Sequence, residues 1–141
     1  MYSGRPEVKR IGHVCLRVRD LESSIDFYHS VLRFRESHNA SPDRRTRWMV
    51  TTADGDRETC EIELSEGRPV SSVSMIGHFS LEAATADAVD GIYFRARAAH
   101  ARATEPADVG DRRQTFIFDP DGHKIQVFAR LEIESDSVAA E

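Results

Sequence analysis

Cysteine is scarce in this chain. Cys15 and Cys60 are the only two in 141 residues, too few for a disulfide scaffold, and both fall in strand-like runs. They read as reduced thiols of a cytoplasmic protein. No apolar run approaches the roughly 18–20 residues that cross a bilayer, so no membrane partner is expected. The opening MYSGRPEVKR has no apolar h-region and does not read as a secretory signal. An excess of positive charge is also missing: 19 basic and 24 acidic residues give a formal net charge of −5. The basic residues are scattered, which argues against a nucleic-acid partner. What is present suffices for one ordinary domain with a real core, since 40% of residues are hydrophobic and 30% charged.

The chain repeats itself. Ile11-Gly12-His13-Val14-Cys15-Leu16 returns as Ile76-Gly77-His78-Phe79-Ser80-Leu81, an offset of 65 residues. Glu61-Ile62-Glu63-Leu64 returns as Lys124-Ile125-Gln126-Val127, an offset of 63. Two matches nearly in register point to a duplicated module, about 8–66 and 73–131, followed by an acidic tail at 132–141.

Each half shows the same order of elements. A strand is expected over 11–18, then a helix over 21–32 capped by Asp20, with Leu21, Ile25, Tyr28 and Leu32 on its buried face. Strands follow at 34–37, 47–52 and 59–64, with a turn at 53–56. The second half predicts a strand at 78–83, a helix near 86–99, and strands at 101–105, 115–119 and 124–130. Asp119-Pro120-Asp121-Gly122 reads as a tight hairpin turn. The fold class is α+β, with two tandem βαβββ modules forming a curved mixed sheet around a shared cavity and helices outside.

Strand alternation sorts the side chains. Val14, Leu16 and Val18 form the apolar set of the first strand, which sends His13, Cys15 and Arg17 to the other face. By the same rule Glu61 and Glu63 oppose Ile62 and Leu64, His78 and Ser80 oppose Phe79 and Leu81, and Lys124, Gln126 and Phe128 oppose Ile125 and Val127. The helix-averted faces therefore carry His13, Glu63, His78 and Gln126, two from each half. Two imidazoles, a carboxylate and an amide oxygen suit Zn, Ni, Co, Fe or Mn better than Ca or Mg. Each residue alone has a plainer role as a half-exposed strand side chain; the repeat sets the two histidines apart. The other histidines read as unpaired, Phe27-Tyr28 as helix core with a hydroxyl at the rim, and Cys15 as a small buried filler, with a thiolate near the metal as the alternative.

At these residues the chain resembles the vicinal oxygen chelate superfamily, which includes glyoxalase I, methylmalonyl-CoA epimerase, extradiol dioxygenases and fosfomycin-resistance proteins. The matching text runs from His13 to Asp20 with Ser24 and Phe27-Tyr28, then Ile62-Glu63-Leu64, Gly77-His78, and Asp119 to Gly122 leading into Ile125-Gln126-Val127. The resemblance implies one divalent metal per site in a cavity shared by paired modules, and often a homodimer whose modules pair between chains. Position by position, His13, Glu63 and His78 match three of the four metal ligands of bacterial-type glyoxalase I, and Gln126 stands where the fourth is a glutamate. Methylmalonyl-CoA epimerases resemble the set with glutamine in the other half. Extradiol dioxygenases and fosfomycin-resistance enzymes place their carboxylate at the Gln126 position, a poorer match. Arg17 matches an arginine that glyoxalase I uses for the glutathione end of its substrate, while the partnering asparagine is replaced by Gly67.

The leading expectation is a metal-dependent lyase or isomerase for a small substrate with two adjacent oxygens, which stabilises an enediolate. Glu63 is the candidate base and Glu61 the reserve. Two alternatives stand beside it. One is an Fe(II) ring-cleaving dioxygenase using His13, His78 and Glu63. The other is a metal-free sequestering protein of the bleomycin-resistance type, its cavity lined by Trp48, Met49, Phe116, Phe118 and Phe128.

Overall fold

The computed structural model describes residues 4–52, 58–68 and 77–132. The expected turn at 53–56 and the acidic tail beyond 132 lie outside them. The first module runs β1 (Val14–Val18), α1 (Leu21–Ser30), β2 (Arg35–Ala40), β3 (Thr46–Val50) and β4 (Glu61–Glu66). The second runs β5 (Phe79–Glu82), α2 (Ala86–Ala98), β6 (Ala107–Val109), β7 (Arg112–Phe118) and β8 (Lys124–Arg130). The βαβββ order occurs twice, as the repeat predicts.

Each module forms a four-stranded mixed sheet, ordered β1-β4-β3-β2 and β5-β8-β7-β6. The duplication extends to register. Val14, Cys15, Leu16 and Arg17 face Ile62, Glu63, Leu64 and Ser65. Phe79, Ser80, Leu81 and Glu82 face Ile125, Gln126, Val127 and Phe128. Each of these strand pairs is parallel, and β1 and β5 each form one edge of their sheet, with β2 and β6 at the opposite edges.

The helices begin where the sequence provides caps. Asp20 accepts from the backbone N–H of Ser23, and Thr85 accepts from that of Ala88, each closing a donor the first turn leaves open. Both helices end on a non-glycine residue in the left-handed region, Arg33 at φ 67° and His100 at φ 61°. Chain reversal at Arg33 stops α1 short of Leu32, which is still buried. Along α1 the buried residues are Leu21, Ser24, Phe27 and Tyr28, so the apolar face lies one step round from the expected one, and Ile25 only flanks the core.

One continuous core joins the modules: Leu16, Val18, Tyr28 and Leu64 cluster with Val89, Ile92, Ile117 and Ile125. Met49 belongs to this core and is fully buried, so it lines no cavity. The strand expected at 101–105 is instead a single bridge, Ala103 to Ile117, and β6 forms further on. Pro106 supplies no N–H to continue the ladder, and Gly110, at φ 61°, turns the chain so that Ala107–Val109 pairs with β7.

Candidate metal centre

The helix-averted faces carry the polar side chains, as alternation requires. His13, Cys15 and Arg17 are exposed beside β4, and Glu61 and Glu63 are partly buried. Cys15 is the register partner of Glu63, and its thiol donates to Glu63 Oε2 at 3.4 Å. The expected buried filler is thus an exposed thiol at the site. Burial, then the Glu63 hydrogen bond, push its pKa up from 9.0, which keeps it the neutral donor.

His13 stands between two carboxylates. Its Nε2 lies 3.2 Å from Glu63 Oε1 and its Nδ1 lies 3.9 Å from Glu61 Oε1. The ring nitrogens point in opposite directions, so the two glutamates address different sides of the imidazole. Only the Nε2–Glu63 side offers adjacent donors to one ion. Donors bound at about 2.0–2.2 Å to the same cation sit about 3 Å apart, and the 3.2 Å separation fits that spacing.

The second half-site is built alike with different chemistry. Ser80, the repeat equivalent of Cys15, donates to the side-chain oxygen of Gln126, whose amide N–H donates to Gln114 Oε1 at 2.8 Å. This fixes the amide orientation and leaves one lone pair on its oxygen. His78 packs edge-on against Phe116, the register partner of Gln126, with ring centroids 5.5 Å apart. Trp48 is the register partner of Glu63 in the same way. Lys124 holds the position equivalent to Glu61, with its ammonium 4.5 Å above the Phe116 ring. Phe128 is 9% exposed although it faces away from the core, because the Arg112 guanidinium lies 4.4 Å over its ring.

His13 and His78 line one cavity of about 770 Å³, together with Arg17, Glu61, Lys124 and the edge strands β1 and β5. Within the chain the structure joins His13 to Glu63, Gln126 to Ser80 and Gln114, and His78 to Phe116. Among the described residues no three His, Cys, Asp or Glu side chains converge as a metal cluster.

Some of the supporting framework escaped the sequence reading. His123 is not unpaired: its Nε2 lies 3.0 Å from the Arg17 carbonyl oxygen, which makes Nε2 the donor. His29 Nδ1 likewise lies 2.9 Å from the Phe34 carbonyl oxygen. The Tyr28 hydroxyl is not at a rim. It is fully buried and donates to Asp119 Oδ2 at 2.8 Å. Burial and the Asp119 charge push its pKa well up. Asp119 Oδ1 accepts from the backbone of Asp121 and His123, and Asp121 accepts from the Arg19 N–H at 3.0 Å. The turn before β8 thus docks on the end of β1. The sequence carries a signal for this: the tight turn stands directly before the strand bearing Gln126.

Residues 10–127 match the family model described as the glyoxalase/bleomycin resistance protein/dioxygenase superfamily. The chain belongs to this superfamily. It is 31% identical over 136 residues to a lactoylglutathione lyase of Haemophilus influenzae, covering 89% of this chain and 96% of that protein. A glyoxylase/bleomycin resistance protein/dioxygenase domain from Frankia superimposes with a TM-score of 0.69 at 19% identity, covering 88% of this chain and 99% of the other. A variant of the fosfomycin resistance protein FosX from Listeria monocytogenes, bound to Mn(II) and 1S,2S-dihydroxypropylphosphonic acid, gives 0.67 at 16%, covering 94% and 98%. These superpositions establish the shared fold. No helix among the described residues is long and apolar enough to cross a membrane.

Proposed function

We propose that this superfamily member is a metal-dependent lyase or isomerase acting on a small substrate with two adjacent oxygens, of the lactoylglutathione lyase kind. The observation that carries the reading is the His13–Glu63 donor pair, whose His13 lines one cavity with His78. Similarity to a lactoylglutathione lyase over nearly its full length supports the reaction class.

His13 and Glu63 would hold the ion from one side, and His78 and Gln126 from the other. A bound divalent ion would supply Lewis-acid polarisation of the substrate oxygens. Glu63 is the proton acceptor of the reaction, since it is the one carboxylate among the four and its Oε2 is already a hydrogen-bond acceptor. Gln126 orients and cannot take the proton. Glu61, on the Nδ1 side, positions the His13 ring so that Nε2 faces Glu63. Arg17 reaches the substrate end remote from the metal.

A second copy of the chain completes the site. β1 and β5 are edge strands, each lies beside its half-site, and the exposed Ile11 lines the same cavity. Pairing β1 of one copy near β5 of another would bring the half-sites together without refolding either module. The test is turnover of lactoylglutathione by protein loaded with Zn, Ni, Co, Mn or Fe. Oxygen uptake by the iron-loaded form would move the assignment to the dioxygenase class, and activity indifferent to chelators would remove the metal from the mechanism.

A further inference from the structure

The two halves carry the same hydrogen bond at equivalent positions. Cys15 stands two residues after His13, and Ser80 stands two residues after His78. Cys15 is the register partner of Glu63, and Ser80 is the register partner of Gln126. Each donates across its parallel strand pair to a side-chain oxygen of that partner. Cys15 Sγ lies 3.4 Å from Oε2 of Glu63, and Ser80 Oγ donates to Oε1 of Gln126. His13, Cys15, His78 and Ser80 all line the same cavity. A single contact of this kind is an ordinary cross-strand neighbour. Its recurrence 65 residues later makes it a feature of the duplicated module.

The two donors differ in strength. A thiol is a weak hydrogen-bond donor, whereas a hydroxyl is a stronger one that sits closer to its acceptor. The two acceptors differ in restraint as well. The Gln126 side chain is held at both ends, its oxygen by Ser80 and its nitrogen by Oε1 of Gln114 at 2.8 Å. The Glu63 carboxylate has His13 Nε2 at 3.2 Å from one oxygen and the thiol of Cys15 on the other. The amide is clamped; the carboxylate is aimed but loosely held.

We propose that Cys15 and Ser80 are positioning residues that make the two oxygen-bearing ligand residues unequal. Ser80 fixes the Gln126 amide in one orientation, as a ligand requires. Cys15 aims Oε2 of Glu63 and gives it up readily, as a proton acceptor requires, since that oxygen must exchange the thiol for the substrate's C–H. A hydroxyl at position 15 would hold Oε2 too firmly. The Ser80–Gln126 contact shows that a serine at this register reaches the oxygen of a side chain of the same length. The proposal rests on the proposed function for the ligand set and for Glu63 as proton acceptor.

The test compares Cys15→Ser with Ser80→Ala. Both positions are exposed, so thermal midpoints should stay close to wild type. Zinc release from the loaded protein into excess chromophoric chelator should shift in opposite directions. Cys15→Ser pins the carboxylate and should slow release by about three- to tenfold. Ser80→Ala frees the amide and should speed release by about tenfold or more. At saturating levels of the ion that supports lactoylglutathione turnover, kcat should fall by about tenfold in Cys15→Ser with KM unchanged, and stay near wild type in Ser80→Ala. Release rates that shift the same way, or not at all, overturn the proposal, as does an unchanged kcat in Cys15→Ser. The release rates decide it even where lactoylglutathione is not turned over, a result that overturns the reaction alone. A wild type that retains no zinc overturns the ligand set and the proposal together.

Discussion

The carboxylate of Glu63 lies 3.2 Å from Nε2 of His13, across the parallel pair formed by β1 and β4. Cys15 donates to its other oxygen, so one oxygen faces the imidazole and one a neutral thiol. Under the proposed function one oxygen would hold the ion and the other would take the proton, and the consequences can be measured.

Glu63→Gln keeps the shape and removes the proton acceptor. Turnover of lactoylglutathione should fall by about 10²–10⁴-fold, with far-UV circular dichroism and thermal midpoint close to wild type. Wild-type turnover in this variant would exclude Glu63 as base.

Glu61→Gln tests the positioning role. Removing the carboxylate 3.9 Å from Nδ1 should weaken metal affinity by about 10–100-fold, measured by competition with a chromophoric chelator. Turnover at saturating metal should recover most of its wild-type value. If turnover collapses with affinity unchanged, Glu61 is the base and the two glutamates exchange roles.

Tyr28→Phe leaves the Asp119 carboxylate, 5% exposed, without its side-chain donor. Urea unfolding should show a loss of about 1–3 kcal/mol, because a buried acceptor is stripped of a partner. A loss below a few tenths would mean that water reaches the site.

Asp119 has a pKa raised above 3.8, because burial outweighs the nearby His123 charge and the hydrogen bonds it accepts. A carboxyl group with a folded-state pKa above its unfolded value favours folding while protonated. That contribution is lost as pH rises from the unfolded value through the raised one. In Asp119→Asn the loss is absent, so stability relative to wild type should increase with pH from about 4 upward. Urea midpoints of both proteins between pH 3 and 7 check the sign; a falling difference would contradict it.

Much of this was legible from residue order. Two matched hexads and tetrads gave the duplication, and period-two alternation put His13, Cys15, Arg17, Glu61 and Glu63 on one face, because one face of each sheet is buried under its own helix. Three-dimensional partners were less legible. The hydroxyl of Tyr28 is drawn inward by Asp119, 91 residues away, and no local pattern announces that. Ser24 is buried on the α1 face beside Leu21 and Phe27, where a polar residue gives the apolar pattern nothing to read. At Gly67 the resemblance implies only an absent asparagine, and the structure shows the Arg17 guanidinium where a side chain would stand.

Metal content by mass spectrometry, on wild type and on His13→Ala, Glu63→Ala and His78→Ala, tests the central claim most directly. A shared site requires close to one ion per chain in wild type and loss in every variant, including His78→Ala, whose side chain lies apart from the other two within one chain. Wild-type metal content in His78→Ala, or none in the wild type after reloading, would contradict it.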